Sequence, residues 1–192
     1  GNKGILSTWG LIPEWVSSEE KALKIQASTL NARSETIFEK PSFKNAIKHH
    51  RCIVPATGYF EWKHFDKKKY PHYIFSESTP IISFAGIYTE WGVNLGKKSF
   101  HTFSILTKPA NDKLSQVNNL SKRMPIIVSE TNESKWLNPS ITASEIQAII
   151  NSEKNNGLNY YSINQNIMQM DICDEGIIKP FQYPELDTNL LF

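Results

Sequence analysis

Residues 51–65 read RCIVPATGYFEWKHF and carry the strongest indication of the fold. Its apolar and aromatic residues predict two consecutive strands, Arg51–Pro55 and Gly58–Phe65. A charged turn over Asp66–Lys69 follows, and Tyr70–Ser76 alternates aromatic and polar residues, which is typical of the returning strand of a hairpin. The centre of the chain is therefore predicted to be a β-sheet.

Short strands and modest helices flank this centre on both sides. Ser17 and Glu20 have the spacing of a capping box, and Pro41 with His49-His50 frames a second helix. Because no βαβ rhythm appears, the predicted fold class is α+β, a strand-rich curved or barrel-like mixed sheet with short peripheral helices. Helices are predicted at 18–27, 41–50, 111–119, 131–137 and 142–150, and further strands at 5–9, 81–91, 99–108, 124–128 and 160–163, with a turn at 92–96.

Composition narrows the class of protein without indicating a function. The 192 residues are 40% hydrophobic and 21% charged, which fits a single globular domain over 1–192. The net charge is only +2, so a nucleic-acid-binding protein of this composition must gather its positive residues on one face. The sequence has neither a signal peptide nor an apolar run of about 18 residues, so we expect a cytoplasmic protein without a membrane partner.

Cysteine and histidine spacing predicts no metal site, and no cofactor motif is present. Cys52 and Cys173 both lie among apolar neighbours, so we expect small buried side chains rather than a disulfide or metal ligands. The sequence also lacks a glycine-rich phosphate loop, a G-x-S-x-G turn and an H-E-x-x-H pair. We therefore expect neither a cofactor nor a metal.

The segment 31–36, Asn-Ala-Arg-Ser-Glu-Thr, concentrates polar groups between two predicted helices. The amide of Asn31 can orient a carbonyl or aldehyde oxygen, and the guanidinium of Arg33 can bind a phosphate with two hydrogen bonds. The alternative is a polar inter-helix loop with an N-cap at Ser34.

Glu61 is a carboxylate inside an otherwise apolar strand. Its neighbours Phe60 and Trp62 desolvate it, and desolvation raises a carboxyl pKa towards the range in which it transfers protons. Strand alternation places Tyr59 and Glu61 on one face, with Phe60 and Trp62 on the other. The alternative is an ordinary glutamate on a solvent-facing strand surface.

Two further groups of residues carry weaker indications. Lys122 and Arg123 stand before an apolar run and can contact phosphates, although a solvated loop end explains them equally. Exposed tryptophans and a proline can stack on bases or separate them, although most tryptophans of a small domain are core residues. The aromatic candidates are Trp9, Trp15 and Trp62, with Pro13 nearby.

Five motifs in order make the chain resemble the SRAP family, which shields abasic sites in single-stranded DNA. They are WGLIPEW at 9–15, NARSET at 31–36, RCIVPATGYFEW at 51–62, FAGI at 84–87 and RMP at 123–125. The resemblance covers Trp9 to Val128. It implies one SRAP-like domain over 1–192 that is preceded by a further amino-terminal segment, acting as a monomer in the bacterial cytoplasm or nucleoid.

The resemblance also implies a chemistry. In the family, removal of the initiator methionine exposes a cysteine whose amine and thiol condense with an abasic-site aldehyde, through a Schiff base, into a thiazolidine. Asn31 matches the residue that orients the sugar, and Glu61 matches the residue that moves protons. Arg33 and Arg123 match phosphate-binding positions. Pro13, Trp15 and Trp62 match positions that separate bases around the lesion.

The sequence departs from the family pattern in two respects. The family's terminal cysteine would lie upstream of Gly1, so the chain as it stands is expected not to cross-link DNA. The histidine that precedes R-M-P in the family has no counterpart, and Asn118 or Ser121 occupies its approximate place. Neither side chain titrates near neutral pH as an imidazole does. A non-catalytic module that binds single-stranded DNA or junctions therefore stays open, as does a fold relative with an unrelated ligand.

Overall fold

The structure is a computed structural model that describes residues 3–92, 99–153, 157–171 and 174–186. The chain forms two compact units, each assembled from three segments. The first comprises Gly1–Pro55, Ser83–Lys108 and Pro125–Lys154, and the second Ala56–Ile82, Pro109–Met124 and Asn155–Phe192. Within the described ranges, no helix has the length and apolar character needed to span a membrane.

Short strands outnumber helices along the described chain. The strands are β1 (Ser7–Trp9), β2 (Asn31–Arg33), β3 (Arg51–Ala56), β4 (Gly58–Phe65), β5 (Lys68–Ser76), β6 (Ile82–Trp91), β7 (Phe100–Pro109), β8 (Arg123–Pro125) and β9 (Leu158–Ser162). The α-helices are α1 (Glu19–Ser28), α2 (Ala46–His49), α3 (Asp112–Ser115), α4 (Glu130–Leu137) and α5 (Ala143–Ser152).

A mixed sheet organises the first unit. Strands β1, β7, β6 and β3 lie side by side, and β2 also pairs with β7. Both β1 and β2 run parallel to β7, whereas β6 is antiparallel to it. Alternate residues of β7 enter the main core, where Leu106 packs with Ile126, Trp136 and apolar residues of α5. Helix α5 begins at a capping box between Thr142 and Glu145, which satisfies backbone donors of its first turn.

An antiparallel sheet of β4, β5 and β9 organises the second unit. Asp66 and Lys67 connect β4 to β5 with positive φ angles of 45° and 61°, the geometry of a tight two-residue hairpin turn. Tyr73, Ile163 and Ile167 form a small core on this sheet. The predicted hairpin is confirmed, with β4 at the predicted bounds.

The predicted α+β class with a mixed sheet is confirmed, but several helix predictions are wrong in detail. The N-cap of α1 is Ser18, whose side chain accepts from the Lys21 N–H, so Ser17 and Glu20 do not form the capping box. The helix predicted at 41–50 is helical only over Ala46–His49, because Pro41 begins a series of turns. The helix predicted at 111–119 covers only Asp112–Ser115. Most of the predicted turn at 92–96 lies outside the described residues.

Candidate functional site

Glu61 lies half-buried in the middle of β4, in the second unit, opposite His72 of β5. Burial raises the pKa of its carboxyl from 4.5 to about 7, while hydrogen bonds from the Asn118 side chain and the Trp62 backbone act in the opposite direction. The interpretation of Glu61 as an ordinary exposed strand residue is therefore wrong. A carboxyl with this pKa exchanges protons readily near neutral pH.

One face of β4 carries Tyr59 and Glu61, because residues two positions apart in a strand point to the same side. The Glu61 charge adds to the burial that raises the pKa of the Tyr59 hydroxyl. Phe60 lies on the other face, with its ring centroid 5.6 Å from that of Tyr73. Gly58 is the first residue of β4, and a Cβ at this position would lie 2.4 Å from the Ile74 carbonyl oxygen. The glycine of this motif is thus required by the close approach of β5.

A short loop holds the amide that contacts Glu61. The Ser121 hydroxyl donates to Asn118 Oδ1 at 2.8 Å, and Asn118 Nδ2 donates to the Arg123 carbonyl at 3.1 Å. Asn119 fastens this loop to β4, because its side chain accepts from the His64 N–H at 2.9 Å and donates to the His64 carbonyl at 2.8 Å. Asn118 and Ser121 are the two candidates for the place of the family's histidine. Asn118 is hydrogen-bonded to Glu61, and Ser121 is hydrogen-bonded to Asn118.

Asn31 and Arg33 lie in the first unit, exposed at the two ends of β2. Ala32 between them is fully buried, so both polar side chains point away from the core. Ser34 is buried, and its N–H donates to the Thr107 carbonyl. The alternative of a polar inter-helix loop is wrong for residues 31–33, which pair in register with Ile105–Thr107 of β7, whereas residues 34–36 form a turn.

The predicted DNA-contacting residues differ in exposure. Trp15 is 60% exposed and Trp9 is 48% exposed. Trp62 and Arg123 are half-buried, on β4 and β8. Pro13 is buried, which contradicts the expectation of an exposed ring that stacks on bases. The Pro13 carbonyl accepts from the Val16 N–H, so this residue shapes the turn that presents Trp15.

Arg51, in the same motif as Glu61, has a structural role that sequence reasoning missed. Its buried guanidinium donates to the carbonyls of Ile47, Lys48, Trp136 and Asn138. Those carbonyls lie at the ends of α2 and α4, where backbone acceptors lack helical partners. The sequence contained one signal for this role, because Arg51 directly follows the predicted helix at 41–50, which ends in basic residues.

Cys52 is half-buried, so it is more exposed than the buried side chain that its apolar neighbours predict. It forms no disulfide, and burial raises the pKa of its thiol to about 12, so the sulfur stays protonated at neutral pH. Cys173 lies outside the described residues. In the part of the chain that the structure describes, no three His, Cys, Asp or Glu side chains gather closely enough to hold a metal ion.

The fold and these residues define an α+β protein with a desolvated carboxylate held by an amide, and with an exposed asparagine–arginine pair on a separate strand. The chain belongs to the SRAP family, since the family described as SOS response associated peptidase (SRAP) matches residues 2–170.

Similar proteins support the same assignment. The abasic site processing protein YoqW of Bacillus subtilis (strain 168) is 36% identical over 167 residues, covering 77% of this chain and 71% of that protein. The abasic site processing protein HMCES of Xenopus tropicalis is 27% identical over 183 residues, covering 77% and 53%. A crystal structure of a protein from Bacteroides thetaiotaomicron superimposes with a TM-score of 0.85 at 42% identity, covering 91% of this chain and 75% of that one.

Proposed function

We propose that this protein processes abasic sites in single-stranded DNA by forming a covalent thiazolidine link through an amino-terminal cysteine that lies upstream of Gly1. The observation that carries the proposal is the half-buried Glu61 carboxyl in β4, which accepts a hydrogen bond from Asn118. Burial raises its pKa to about 7, which suits it to move protons. The choice of abasic DNA as the substrate is supported by the SRAP family assignment and by relatives named as abasic site processing proteins.

The proposed reaction requires several proton transfers but no redox partner. The cysteine amine adds to the C1′ aldehyde of the ring-opened deoxyribose, and loss of water gives a Schiff base. The thiol sulfur then attacks the imine carbon, the thiol proton passes to nitrogen, and the thiazolidine ring closes. Glu61 as carboxylate takes a proton from the attacking amine, and as carboxylic acid it returns one to the departing hydroxyl. We propose that it serves the removal of the initiator methionine in the same way.

The remaining candidates are proposed to bind rather than react. Asn31 offers an amide to the sugar oxygens, and Arg33 a guanidinium to a phosphate. Both are exposed on the same edge strand, which suits contact with a flexible polymer. Arg123 is proposed as a second phosphate contact, and Trp15 and Trp62 as stacking partners for bases next to the lesion.

A non-catalytic module that binds single-stranded DNA or junctions is the second candidate function. The observation in its favour is that the side chain bonded to Glu61 is an amide, that of Asn118. Asn118 and Ser121 are the two candidates for the place of the family's histidine, and neither titrates near neutral pH as an imidazole does. An amide cannot exchange protons near pH 7, so Glu61 would have to carry the acid–base steps alone. DNA binding without a stable adduct is the behaviour that this second function predicts.

The deciding experiment incubates full-length protein carrying its terminal cysteine with single-stranded DNA that contains one abasic site, followed by a denaturing gel. We expect a shifted band that withstands denaturation and disappears when the terminal cysteine is changed to alanine. Glu61→Gln is expected to slow its formation by roughly 10²-fold or more, because general acid–base catalysis typically contributes that much. Glu39→Gln, a change at an exposed carboxylate of the first unit, is the matched control.

Absence of the band from full-length protein that still binds the DNA would favour the binding module. Formation of the band at an unchanged rate in Glu61→Gln would retain the covalent chemistry and remove Glu61 from it.

A further inference from the structure

Four rings form a row across the sheet of the first unit. Trp9 on β1 stacks on Phe103 of β7, with ring centroids 6.4 Å apart and ring planes 10° apart. Tyr88 on β6 is the register partner of Phe103. The ring of His50, directly before β3, lies 5.3 Å from the ring of Tyr88. Trp9, Phe103, Tyr88 and His50 are called the aromatic row below.

The aromatic row shares a face with the two exposed polar residues of β2. Along β7, Thr102, Ser104 and Leu106 are fully buried, whereas the alternate residues Phe103, Ile105 and Thr107 are half-buried. Asn31 pairs with Ile105 and Arg33 with Thr107. Because paired residues of neighbouring strands point to the same side of a sheet, the amide and the guanidinium extend the face that carries the rings.

This face is partly accessible to solvent, and its first ring is held in place. Trp9 is 48% exposed, and the other three rings are half-buried although the core lies on the opposite side of the sheet. The indole Nε1 of Trp9 donates to the Leu30 carbonyl at 2.8 Å, which orients the ring beside Asn31. A packing role alone does not require rings in this orientation at a solvent-accessible surface.

Aromatic rings next to an amide and a guanidinium have the chemistry that binds single-stranded nucleic acid. Unpaired bases stack on aromatic rings irrespective of sequence, while phosphates bind arginine. Bases in a duplex stack on one another and do not offer their faces. We infer that the aromatic row is a stacking surface for the bases of single-stranded DNA next to the lesion that Asn31 and Arg33 contact; this inference rests on the proposed function.

The test measures equilibrium binding of the full chain to a fluorescein-labelled oligothymidine of about 12 nucleotides, within the usual site size of single-strand binding domains. Trp9→Leu and Tyr88→Leu keep apolar area but remove the aromatic face. Each is expected to weaken binding by roughly fivefold or more, the lower limit for loss of one stacked base. Trp9→Phe and Tyr88→Phe are expected to restore most of the affinity, since a ring is retained.

Phe181→Leu is the matched control, because Phe181 is a 44% exposed ring in the second unit. Thermal melting of every variant separates loss of stacking from loss of fold. Affinities within twofold of the unsubstituted protein for both leucine variants would overturn the inference. Cross-linking to abasic DNA at saturating DNA concentration, measured in parallel, tests the proposed function separately, since it requires the terminal cysteine, whereas oligothymidine binding does not.

Discussion

Asn118 donates a hydrogen bond to the Glu61 carboxylate from a loop that is itself fastened to the strand carrying Glu61. Ser121 donates to Asn118 Oδ1, so the oxygen of this amide is already engaged and its nitrogen faces its acceptors. An amide held in this way stabilises the charged carboxylate but neither takes up nor releases a proton near neutral pH. Glu61 is therefore the titrating member of the pair.

Asn118→Leu removes the donor while keeping a similar volume. Because the Asn118 hydrogen bond lowers the pKa of Glu61, its loss is expected to raise that pKa above about 7, by about one unit for a bond to a charged group. Titration of the Glu61 carboxyl carbon by NMR measures the change without relying on activity. Ser121→Ala, which loses only the bond to Oδ1, is expected to give a smaller shift. Equal titration in the three proteins would contradict the assignment of Asn118.

Asn118→His and Ser121→His test the consequence of the missing imidazole. A histidine at either position adds a group that titrates near neutral pH beside Glu61. We therefore expect faster formation or faster reversal of the abasic-site adduct in at least one variant. The measurement is the rate of adduct formation and loss on single-stranded abasic DNA. If both variants react at the rate of the unsubstituted protein, the histidine position has no kinetic importance here.

Glu61 also makes folding stability depend on pH. Its pKa rises from 4.5 to about 7 on folding, so the folded protein binds this proton more tightly than the unfolded chain. The protonated carboxyl therefore contributes its full stabilisation below about pH 4.5, and this stabilisation is lost as the pH rises to about 7. The loss is expected to be about 1–2 kcal/mol, after allowing for the partial exposure of the group. Denaturant unfolding of Glu61→Gln at several pH values should show this slope removed. Persistence of the full slope in Glu61→Gln would show that other groups cause it.

Arg33→Gln tests the proposed phosphate contact. The exposed guanidinium is expected to release one counterion equivalent on binding, so its removal should reduce the slope of log affinity against log salt by about 0.7 for single-stranded DNA. Affinity should fall similarly for different base sequences. Lys24→Gln on α1 is the control, since Lys24 is paired with Glu20 at 2.6 Å. An unchanged salt slope in Arg33→Gln would place the phosphate elsewhere.

Gly86→Ala tests the close packing of β6 against β3. A Cβ at Gly86 would lie 2.7 Å from Cys52 Sγ and 3.2 Å from Val54 Cγ2. Overpacking of this kind is expected to cost about 1–3 kcal/mol of unfolding free energy. Cys52→Ala removes the nearest atom, so the double variant should be more stable than the sum of the single changes predicts. Strict additivity in denaturant unfolding would argue against a direct contact.

The features that could be predicted from the amino-acid sequence are those with local causes. The β4–β5 hairpin follows from alternating aromatic residues around a charged turn, although Asp66-Lys67 alone closes it instead of the predicted Asp66–Lys69. The sequence also predicted a desolvated Glu61, and burial raises the pKa of its carboxyl to about 7. The order of the motifs identified the family, because a set of short motifs in sequence is recognisable without knowledge of their contacts.

Contacts between residues far apart in the chain could not be predicted from the sequence and are known from the fold. Residues 31–33 became a strand because β7, more than 70 positions away, supplies their hydrogen-bond partners. Asn118 rather than Ser121 bonds to Glu61 because Asn119 fastens its loop to the His64 backbone, 55 positions away. Pro13 is buried by contacts that no local pattern predicts. The physical reason is that periodicity and turn chemistry act over a few residues, whereas pairing and burial depend on segments that folding brings together.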